Sequence, residues 1–203
     1  PAEFIYENLM MEANVIQEAW RQGVQDLLYF GSTCMYPRLC VQPMREEELL
    51  TGSLEPTSEP YALAKLAGWK LCESYNRQYG TRYRTVLPTN LYGPHDNFHQ
   101  EHSHVIPALL QRFHLAKLEG QPVVTIWGSG QAQREFLYVD DLVEACLFLE
   151  DFPEVLGPIN IGSNQEVIIR ELAETVCEVV GYSGDLNFDQ SKPDGMPLKK
   201  VDT

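Results

Sequence analysis

Residues 26–34 read Asp-Leu-Leu-Tyr-Phe-Gly-Ser-Thr-Cys, an apolar run that ends in glycine and serine. A short apolar run bounded by turn residues is typical of a buried strand. A long helix is predicted over 61–79, with Pro60 suited to its first turn and Gly80 ending it. A second strand is predicted over 83–88. This strand–helix–strand order indicates an α/β fold with a doubly wound (Rossmann-type) parallel sheet, in which ligands bind at the carboxyl ends of the strands.

Further elements are predicted on both sides of this unit. A helix is expected over 4–22, and a polar loop with at most one helical turn over 38–60. After residue 93 the predicted elements are shorter, namely helices at 105–117, 140–150 and 170–181 and strands at 123–127, 136–139 and 159–161. This change predicts a dinucleotide-binding part at 1–93 that carries catalytic residues, and a smaller, partly interleaved α+β substrate lobe at 94–203.

A tyrosine and a lysine lie four residues apart at the start of the 61–79 helix. Tyr61 and Lys65 therefore share one helix face, where the ammonium can favour the ionised phenol. This arrangement predicts that the pKa of Tyr61 falls below its usual value of about 10. Ser32, at the end of the first strand, can share a substrate oxygen with the phenol. The pattern is typical of a site that reduces a carbonyl group, with a proton delivered to oxygen as hydride reaches carbon.

Composition excludes several classes of function. The formal net charge of −14 opposes long-range attraction to nucleic acid. No run approaches eighteen apolar residues, so insertion in a membrane is not expected. The cysteines are five in number and form no C-x-x-C pair, which argues against a disulfide framework and a zinc site. We therefore expect a soluble protein of the reducing cytoplasm, without a metal.

Several motifs are far more specific than the Tyr-x-x-x-Lys pair. They are GSTCMYP at 31–37, PYALAK at 60–65, PTNLYGPHDNF at 88–98, HSHVIPALLQRFH at 102–114, WGSGQAQREFLYVDD at 127–141 and SKPDGMP at 191–197. Together they resemble the extended short-chain dehydrogenase/reductase superfamily and, within it, the family of GDP-L-fucose synthases. The resemblance runs in order from Pro1 to Thr203. It implies NADPH-dependent epimerisation at C3 and C5 and reduction at C4 of GDP-4-keto-6-deoxy-D-mannose, giving GDP-L-fucose.

The sequence departs from this family in one respect. Family members begin with a strand, a glycine-rich turn and a helix that hold the cofactor pyrophosphate, and no segment here matches G-x-G-x-x-G. Gly128-Ser-Gly130 comes too late in the chain and is interpreted as a turn. The chain is therefore expected to be an internal fragment that lacks the N-terminal glycine-rich βαβ unit and ends early at its C-terminus.

The resemblance implies an acid/base pair for epimerisation, formed by Cys34 and His104. A cysteine two residues beyond Ser32 on a strand would share its face with the serine, although a small buried hydrophobe is the alternative interpretation. For reduction, the resemblance implies that Tyr61 protonates O4, Ser32 binds O4 and Lys65 holds the nicotinamide ribose. The implied NADP-binding residues are Gly31, Ser32, Tyr61, Lys65, Pro88, Thr89, Asn90, Leu91 and His104, with Thr89 and Asn90 expected at the carboxyl end of the 83–88 strand.

Substrate binding is assigned to four residues of the second half. Arg112 and Arg134 can bind pyrophosphate oxygens, and Trp127 can stack or pack near the ligand. Asp194 is a candidate sugar or nucleotide contact, with a simple Pro-Asp-Gly turn as the equal alternative. Lys192 is a third candidate cation. An exposed, solvated arginine remains the alternative interpretation for both arginines.

Two other functions remain open at this point. One is another reductase or epimerase of nucleotide sugars from the same superfamily. The other is a fragment that binds a nucleotide sugar or forms dimers without catalysis. The helices near 4–22 and 61–79 resemble the pair that forms the family's four-helix dimer interface, so a homodimer is expected.

Overall fold

The computed structural model describes residues 1–99, 103–192 and 194–203. Its helices are α1 (Ala2–Arg21), α2 (Glu59–Tyr79), α3 (Val105–Glu119), α4 (Val139–Phe148) and α5 (Ile169–Val180). Its strands are β1 (Asp26–Phe30), β2 (Arg82–Pro88), β3 (Asn90–Tyr92), β4 (Val123–Trp127), β5 (Gln133–Tyr138), β6 (Ile159–Ile161), β7 (Glu166–Ile168), β8 (Asp185–Asp189) and β9 (Leu198–Lys199). The mixed α/β class predicted from the sequence is confirmed.

The described residues form two compact units. The first contains residues 1–89, 140–164 and 200–203, and the second contains residues 90–139 and 165–199. The sequence predicts two parts, at 1–93 and 94–203, that are partly interleaved. In the structure residues 140–164 belong to the first unit, where β6 pairs with β2.

The first unit is built on a parallel sheet in the order β1-β2-β6. Gly31 follows β1, and its backbone N–H donates to the Val86 carbonyl at 2.8 Å. A Cβ at position 31 would lie 2.5 Å from Leu87 Cδ2 and 2.9 Å from Met35 Sδ. Glycine is therefore required by the close approach of this turn to β2, and it sets the position of the residues that follow β1.

Helices α1 and α2 pack together in the first unit. Pro60 lies in the first turn of α2, and the helix ends at Gly80, which has a left-handed φ of 70°. The Trp20 and Tyr79 rings join the two helices, with centroids 4.4 Å apart. The buried core of this unit consists of Ile16, Tyr29, Met35, Tyr36, Met44, Leu49, Leu66, Trp69, Cys72, Tyr75, Tyr83, Leu87 and Val201.

The second unit combines a four-stranded and a two-stranded sheet. In the first, β5 pairs with β3 and β9 in parallel and with β7 antiparallel. In the second, β4 and β8 are parallel. Helices α3 and α5 cover a separate core formed by Leu109, Phe113, Ala116, Val124, Ile126, Ala173, Val176 and Tyr182.

No helix in the described parts of the chain is long and apolar enough to cross a membrane. The same residues contain no group of three or more histidine, cysteine, aspartate or glutamate side chains that could hold a metal ion.

Candidate active site

Ser32 and Cys34 lie on a short 3-10 turn that follows β1. The turn spans Thr33–Met35, and the Ser32 hydroxyl caps it by accepting a hydrogen bond from the Cys34 backbone N–H at 3.2 Å. The expectation that both side chains share one face of a strand is therefore wrong. The serine oxygen satisfies a backbone N–H at the start of the turn, which is a common role of serine at the start of a helical turn.

Tyr61 lies in the first turn of α2 and is half-buried. Burial raises the pKa of its phenol, as do electrostatic interactions with Cys34 and Glu12, while a hydrogen bond with Ser32 acts in the opposite direction. The predicted lowering of this pKa is therefore wrong for the structure described here. Ser32, Cys34 and Glu12 therefore lie near the Tyr61 phenol. The phenol is thus held in its protonated form, which is the form that can donate a proton to a carbonyl oxygen.

Lys65 is placed beside Tyr61, as the four-residue spacing predicts. Its Nζ lies 5.7 Å from the centroid of the Tyr61 ring. The same Nζ lies 2.7 Å from Glu12 Oε1, so the ammonium is paired with a carboxylate from α1. The sequence analysis missed Glu12, although it lies four residues before Ile16, on the side of α1 that faces the core.

The carboxyl end of β2 supplies Pro88 and Thr89. Pro88 pairs with Ile161 of β6, and the Thr89 backbone N–H donates to the Ile161 carbonyl at 3.0 Å. The Thr89 hydroxyl is buried, and no hydrogen-bond partner for it is found within 1–99, 103–192 and 194–203. A buried hydroxyl without a partner at a strand end fits a polar atom of a bound ligand, because an unsatisfied group costs free energy.

Asn90, Leu91 and His104 belong to the second unit. Asn90 begins β3 instead of ending β2, and its side-chain amide donates to the Glu135 carbonyl at 2.8 Å. Leu91 pairs with Leu137 of β5. The exposed His104 precedes α3 as its N-cap residue, and its carbonyl accepts from the Ala108 N–H at 2.9 Å. Asn90 thus lies two residues beyond the end of β2 and starts a new strand that pairs with β5.

Aromatic and cationic side chains lie near the carboxyl end of β4. Trp127 is the last residue of β4 and is 68% exposed. Lys192 Nζ lies 5.6 Å from its ring centroid. Arg112 Nη1 donates to the Thr125 carbonyl at 2.8 Å, which holds that arginine against β4. The exposed indole can stack on a planar group, and the Lys192 ammonium beside it can bind an anion.

Asp194 is bound to the turn that follows β4. Its carboxylate accepts hydrogen bonds from the Ser129 backbone N–H at 2.6 Å and from the Ser129 hydroxyl at 2.8 Å. Gly128 and Gly130, on either side of Ser129, have positive φ values of 87° and 76°. The interpretation of Gly128–Gly130 as a turn is confirmed. Pro193 lies outside the described residues, so both interpretations of Asp194, the Pro-Asp-Gly turn and a ligand contact, stay predictions.

Arg134 is half-buried on β5 and bound to backbone oxygens. It donates to the carbonyls of Gln133 at 2.8 Å and Met196 at 2.6 Å. Burial lowers the pKa of its guanidinium, and the charge of Asp194 acts in the opposite direction. Arg170, which the sequence analysis did not select, donates to the Ser129 carbonyl at 3.2 Å. Arg170 thus contacts the glycine-rich turn itself, whereas Arg134 contacts the Met196 carbonyl.

The predicted site residues fall into two groups. The first unit holds Gly31, Ser32, Cys34, Tyr61, Lys65, Pro88 and Thr89. The second unit holds Asn90, Leu91, His104, Arg112, Trp127, Arg134 and Asp194. Within the first group, the Cys34 N–H donates to the Ser32 hydroxyl, Lys65 Nζ lies 5.7 Å from the Tyr61 ring centroid, and Ser32 and Cys34 both influence the pKa of Tyr61.

Comparison with known proteins agrees with this geometry. The profile of the NAD dependent epimerase/dehydratase family matches residues 1–162. The chain is 56% identical to the GDP-L-fucose synthase of Escherichia coli strain K12 over 211 aligned residues, covering 100% of this chain but 66% of that protein. It therefore spans slightly less than two thirds of that relative.

Two crystal structures show the same fold. A GDP-6-OMe-4-keto-L-xylo-heptose reductase from C. jejuni has a TM-score of 0.92 and 38% identity, over 99% of this chain and 69% of the other. A GDP-L-fucose synthetase from Naegleria fowleri bound to NADP has a TM-score of 0.92 and 30% identity, over 99% of this chain and 64% of the other.

Proposed function

The chain belongs to the NAD dependent epimerase/dehydratase family, and we propose that the gene product containing it makes GDP-L-fucose. The reaction is epimerisation at C3 and C5 of GDP-4-keto-6-deoxy-D-mannose, followed by NADPH-dependent reduction at C4. The observation that carries the proposal is the group formed by Tyr61, Ser32 and Cys34, in which a protonated phenol meets a hydroxyl and a thiol. The 56% identity to the E. coli GDP-L-fucose synthase supports it.

Reduction is assigned to Tyr61, Ser32 and Lys65. When bound, NADPH supplies the hydride that reaches C4. Tyr61 donates the proton to O4, and Ser32 orients that oxygen; the effect of Ser32 on the pKa of Tyr61 supports their proximity. Lys65 and the buried Thr89 hydroxyl hold the cofactor, together with Gly31 and the other predicted cofactor-binding residues. The NADP-bound structure of the Naegleria protein supports this choice of cofactor.

Epimerisation is assigned to Cys34 and His104. A C–H group next to a ketone is acidic enough for a side-chain base, and inversion requires a proton from the opposite face. A thiolate can remove the first proton, and a histidine, which titrates near neutral pH, can supply the second. The electrostatic interaction of Cys34 with Tyr61 supports its place in this chemistry, because the base and the reduction donor would then serve the same sugar ring.

Binding of the GDP group is assigned to Arg112, Trp127, Arg134 and Lys192. The chain carries a net charge of −14, so an anionic nucleotide needs local cations. Arg112 and Lys192 lie close to β4, and the exposed Trp127 ring offers a stacking surface. For Asp194 we propose an indirect role, because its carboxylate holds the Ser129 turn.

A homodimer and a cytoplasmic location complete the proposal. The α1 face carrying Phe4, Met11 and Val15 exposes three large apolar side chains within one helical stripe. An exposed apolar face of this kind is typical of a protein interface. We assign it, together with the outer face of α2, to the contact between two copies of the chain. The absence of C-x-x-C pairs supports a reducing compartment.

The C. jejuni reductase provides the alternative, in which the protein reduces a 4-keto GDP sugar without epimerising it. Product analysis separates the two. The full-length gene product is incubated with NADPH and GDP-4-keto-6-deoxy-D-mannose, and the sugar nucleotides are separated and identified by proton NMR. GDP-L-fucose supports the proposal. A reduced, unepimerised sugar supports the alternative, and no NADPH-dependent product contradicts both.

A further inference from the structure

Glu12 and Lys65 form an ion pair that is almost withdrawn from solvent. Glu12 Oε1 lies 2.7 Å from Lys65 Nζ, and the two side chains are only 4% and 13% exposed. Removing one partner of such a pair leaves a buried, uncompensated charge, which is costly. The pair therefore constrains both side chains, in contrast to a surface ion pair, whose contribution is close to zero.

The Glu12–Lys65 ion pair requires a residue without a side chain at position 68 of α2. A Cβ at Gly68 would lie 2.9 Å from Glu12 Oε2 and closer still to the hydroxyl of Tyr29. The Tyr29 hydroxyl donates to the Lys65 carbonyl at 3.2 Å. Glycine at position 68 thus lets a carboxylate from α1 and a phenol from β1 approach the turn of α2 that carries Lys65.

The Lys65 ammonium faces two aromatic rings as well as the carboxylate. Its Nζ lies 5.2 Å from the centroid of the Tyr29 ring and 5.7 Å from that of Tyr61. A lysine side chain loses considerable rotamer freedom when it is fixed in one geometry. The ion pair with Glu12 is the contact that offsets this loss, because cation–π contacts at these distances are weaker.

We propose that Glu12 is a positioning residue of the reduction site, whose carboxylate holds the Lys65 ammonium in place beside Tyr61. The inference rests on the proposed function in that Tyr61 is taken as the proton donor. Glu12 acts in two ways: its carboxylate holds the Lys65 ammonium, and its negative charge raises the pKa of Tyr61. No comparison or sequence motif pointed to this residue, and its α1 position lies outside the Ser-Tyr-Lys pattern.

A pH effect follows from the charges around Tyr61. The titratable groups that face it are Cys34, Glu12, Lys65 and Tyr29. After burial and Cys34, the charge of Glu12 is the next cause that raises the pKa of Tyr61. Proton donation needs the neutral phenol, so the rate of reduction falls as the pH rises through this pKa. Removing the Glu12 charge lowers the pKa and moves the alkaline limb of the pH profile to lower pH.

The test compares two glutamate variants of the full-length gene product. Glu12→Gln removes the charge and keeps the side-chain shape. Glu73→Gln is the matched control. Glu73 forms a 2.8 Å ion pair with Lys70, another lysine of α2, but the side chains of both residues in that pair are exposed. We expect Glu12→Gln to lower kcat for reduction roughly 10- to 100-fold, the scale of a misplaced catalytic group, and to shift the alkaline limb to lower pH. Glu73→Gln should leave both unchanged.

A second readout does not depend on catalysis. Ammonium protons of a buried, paired lysine exchange slowly with water, so NMR of the protein with isotope-labelled lysine should show one protected signal that Lys65→Met removes. Glu12→Gln should abolish its protection and Glu73→Gln should not. If Glu12→Gln fails to fold, Glu12→Asp, which keeps the charge, replaces it. The shorter aspartate side chain should weaken the protection of the Lys65 ammonium protons and lower kcat. The alkaline limb of the pH profile should stay near its original position, because the charge is kept.

The outcomes separate this inference from the proposed function. If the unsubstituted protein reduces no 4-keto GDP sugar, the proposed function fails, and the NMR signal of Lys65 still decides whether Glu12 holds the ammonium. If Tyr61→Phe abolishes reduction but Glu12→Gln changes neither kcat, the alkaline limb nor the protection of Lys65, the role of Glu12 is overturned and the proposed function stands.

Discussion

The hydroxyl oxygen of Ser32 accepts a hydrogen bond from the backbone N–H of Cys34 at 3.2 Å, and this contact fixes both residues on one 3-10 turn after β1. The same serine hydroxyl interacts with the Tyr61 phenol. One side chain therefore connects the residue assigned to reduction with the residue assigned to epimerisation. The predictions below test whether the two activities can be separated at this turn.

Removing the Tyr61 hydroxyl should stop reduction and spare epimerisation. In Tyr61→Phe of the full-length gene product, reduction should fall by roughly a hundred- to ten-thousandfold, the range for a positioned acid or base. Exchange of the C3 and C5 hydrogens with deuterated water should persist, because Cys34 and His104 remain. The measurements are NADPH oxidation and proton NMR of the recovered sugar. Simultaneous loss of exchange and reduction would contradict this division of roles.

Adding a methyl group at position 68 should destabilise the protein. In an exposed helix, glycine to alanine stabilises by about 1 kcal/mol. In Gly68→Ala the new Cβ would meet the Tyr29 hydroxyl and Glu12 Oε2, so we expect a loss of roughly 1–3 kcal/mol in the free energy of unfolding, as for overpacked cores. Urea unfolding measures it. Ala67→Ser, at the exposed neighbouring position, is the control. Stabilisation by Gly68→Ala would contradict the close approach of Tyr29 and Glu12 to position 68.

The hydrogen bonds between the Asp194 carboxylate and Ser129 should break only in acid. Hydrogen bonds from Ser129 lower the pKa of Asp194 below its ordinary value of 3.8, and the charge of Arg134 contributes to the same direction. A depressed carboxylate pKa means that the contribution to stability is full above pH 3.8 and is lost as the pH falls through the folded-state pKa. The Ser129 amide signal in NMR should therefore titrate with a midpoint below that value. A midpoint at or above it would argue against the observed hydrogen bonds.

A charge on the apolar face of α1 should separate the proposed dimer. Met11 is 57% exposed on this face, and Met11→Glu would place a carboxylate in the interface. Light scattering coupled to size exclusion should then report a monomer, with the unsubstituted protein as a dimer. Leu118→Glu is the control, because Leu118 is 69% exposed on α3, outside the proposed interface. A dimer that survives Met11→Glu would place the interface elsewhere.

Helices and strands with a clear hydrophobic pattern or a clear end signal could be predicted from the sequence. Strands β4 and β6 match their predicted bounds, and α2 begins and ends near its proline and glycine signals. Strands β3, β7 and β9, of two or three residues, and β8, of five, were missed because they depend on pairing with β5 or β4, which no local pattern encodes.

The candidate site was predicted only in part, because contacts with other parts of the fold decide the conformation and burial of its residues. Ser32 was expected to continue a strand, but its side chain caps a turn, and such local competition cannot be decided from an apolar run alone. Tyr61 was expected to have a lowered pKa from its lysine neighbour, whereas burial and Glu12 raise it. Glu12 was missed because a glutamate on a helix is usually solvated, and its burial depends on Lys65 and Gly68 of another helix.

The central claim is that one turn serves epimerisation and reduction, and Cys34→Ser tests it most directly. The variant keeps a small polar side chain but replaces the thiolate-forming group with a hydroxyl that scarcely ionises near neutral pH. The full-length variant is incubated with NADPH and GDP-4-keto-6-deoxy-D-mannose, and the product is identified by chromatography and proton NMR. We expect a reduced but unepimerised sugar, GDP-6-deoxy-mannose or its C4 epimer, because Ser32, Tyr61 and Lys65 are retained. Normal formation of GDP-L-fucose would contradict the account and leave Cys34 as a small half-buried side chain without a catalytic role.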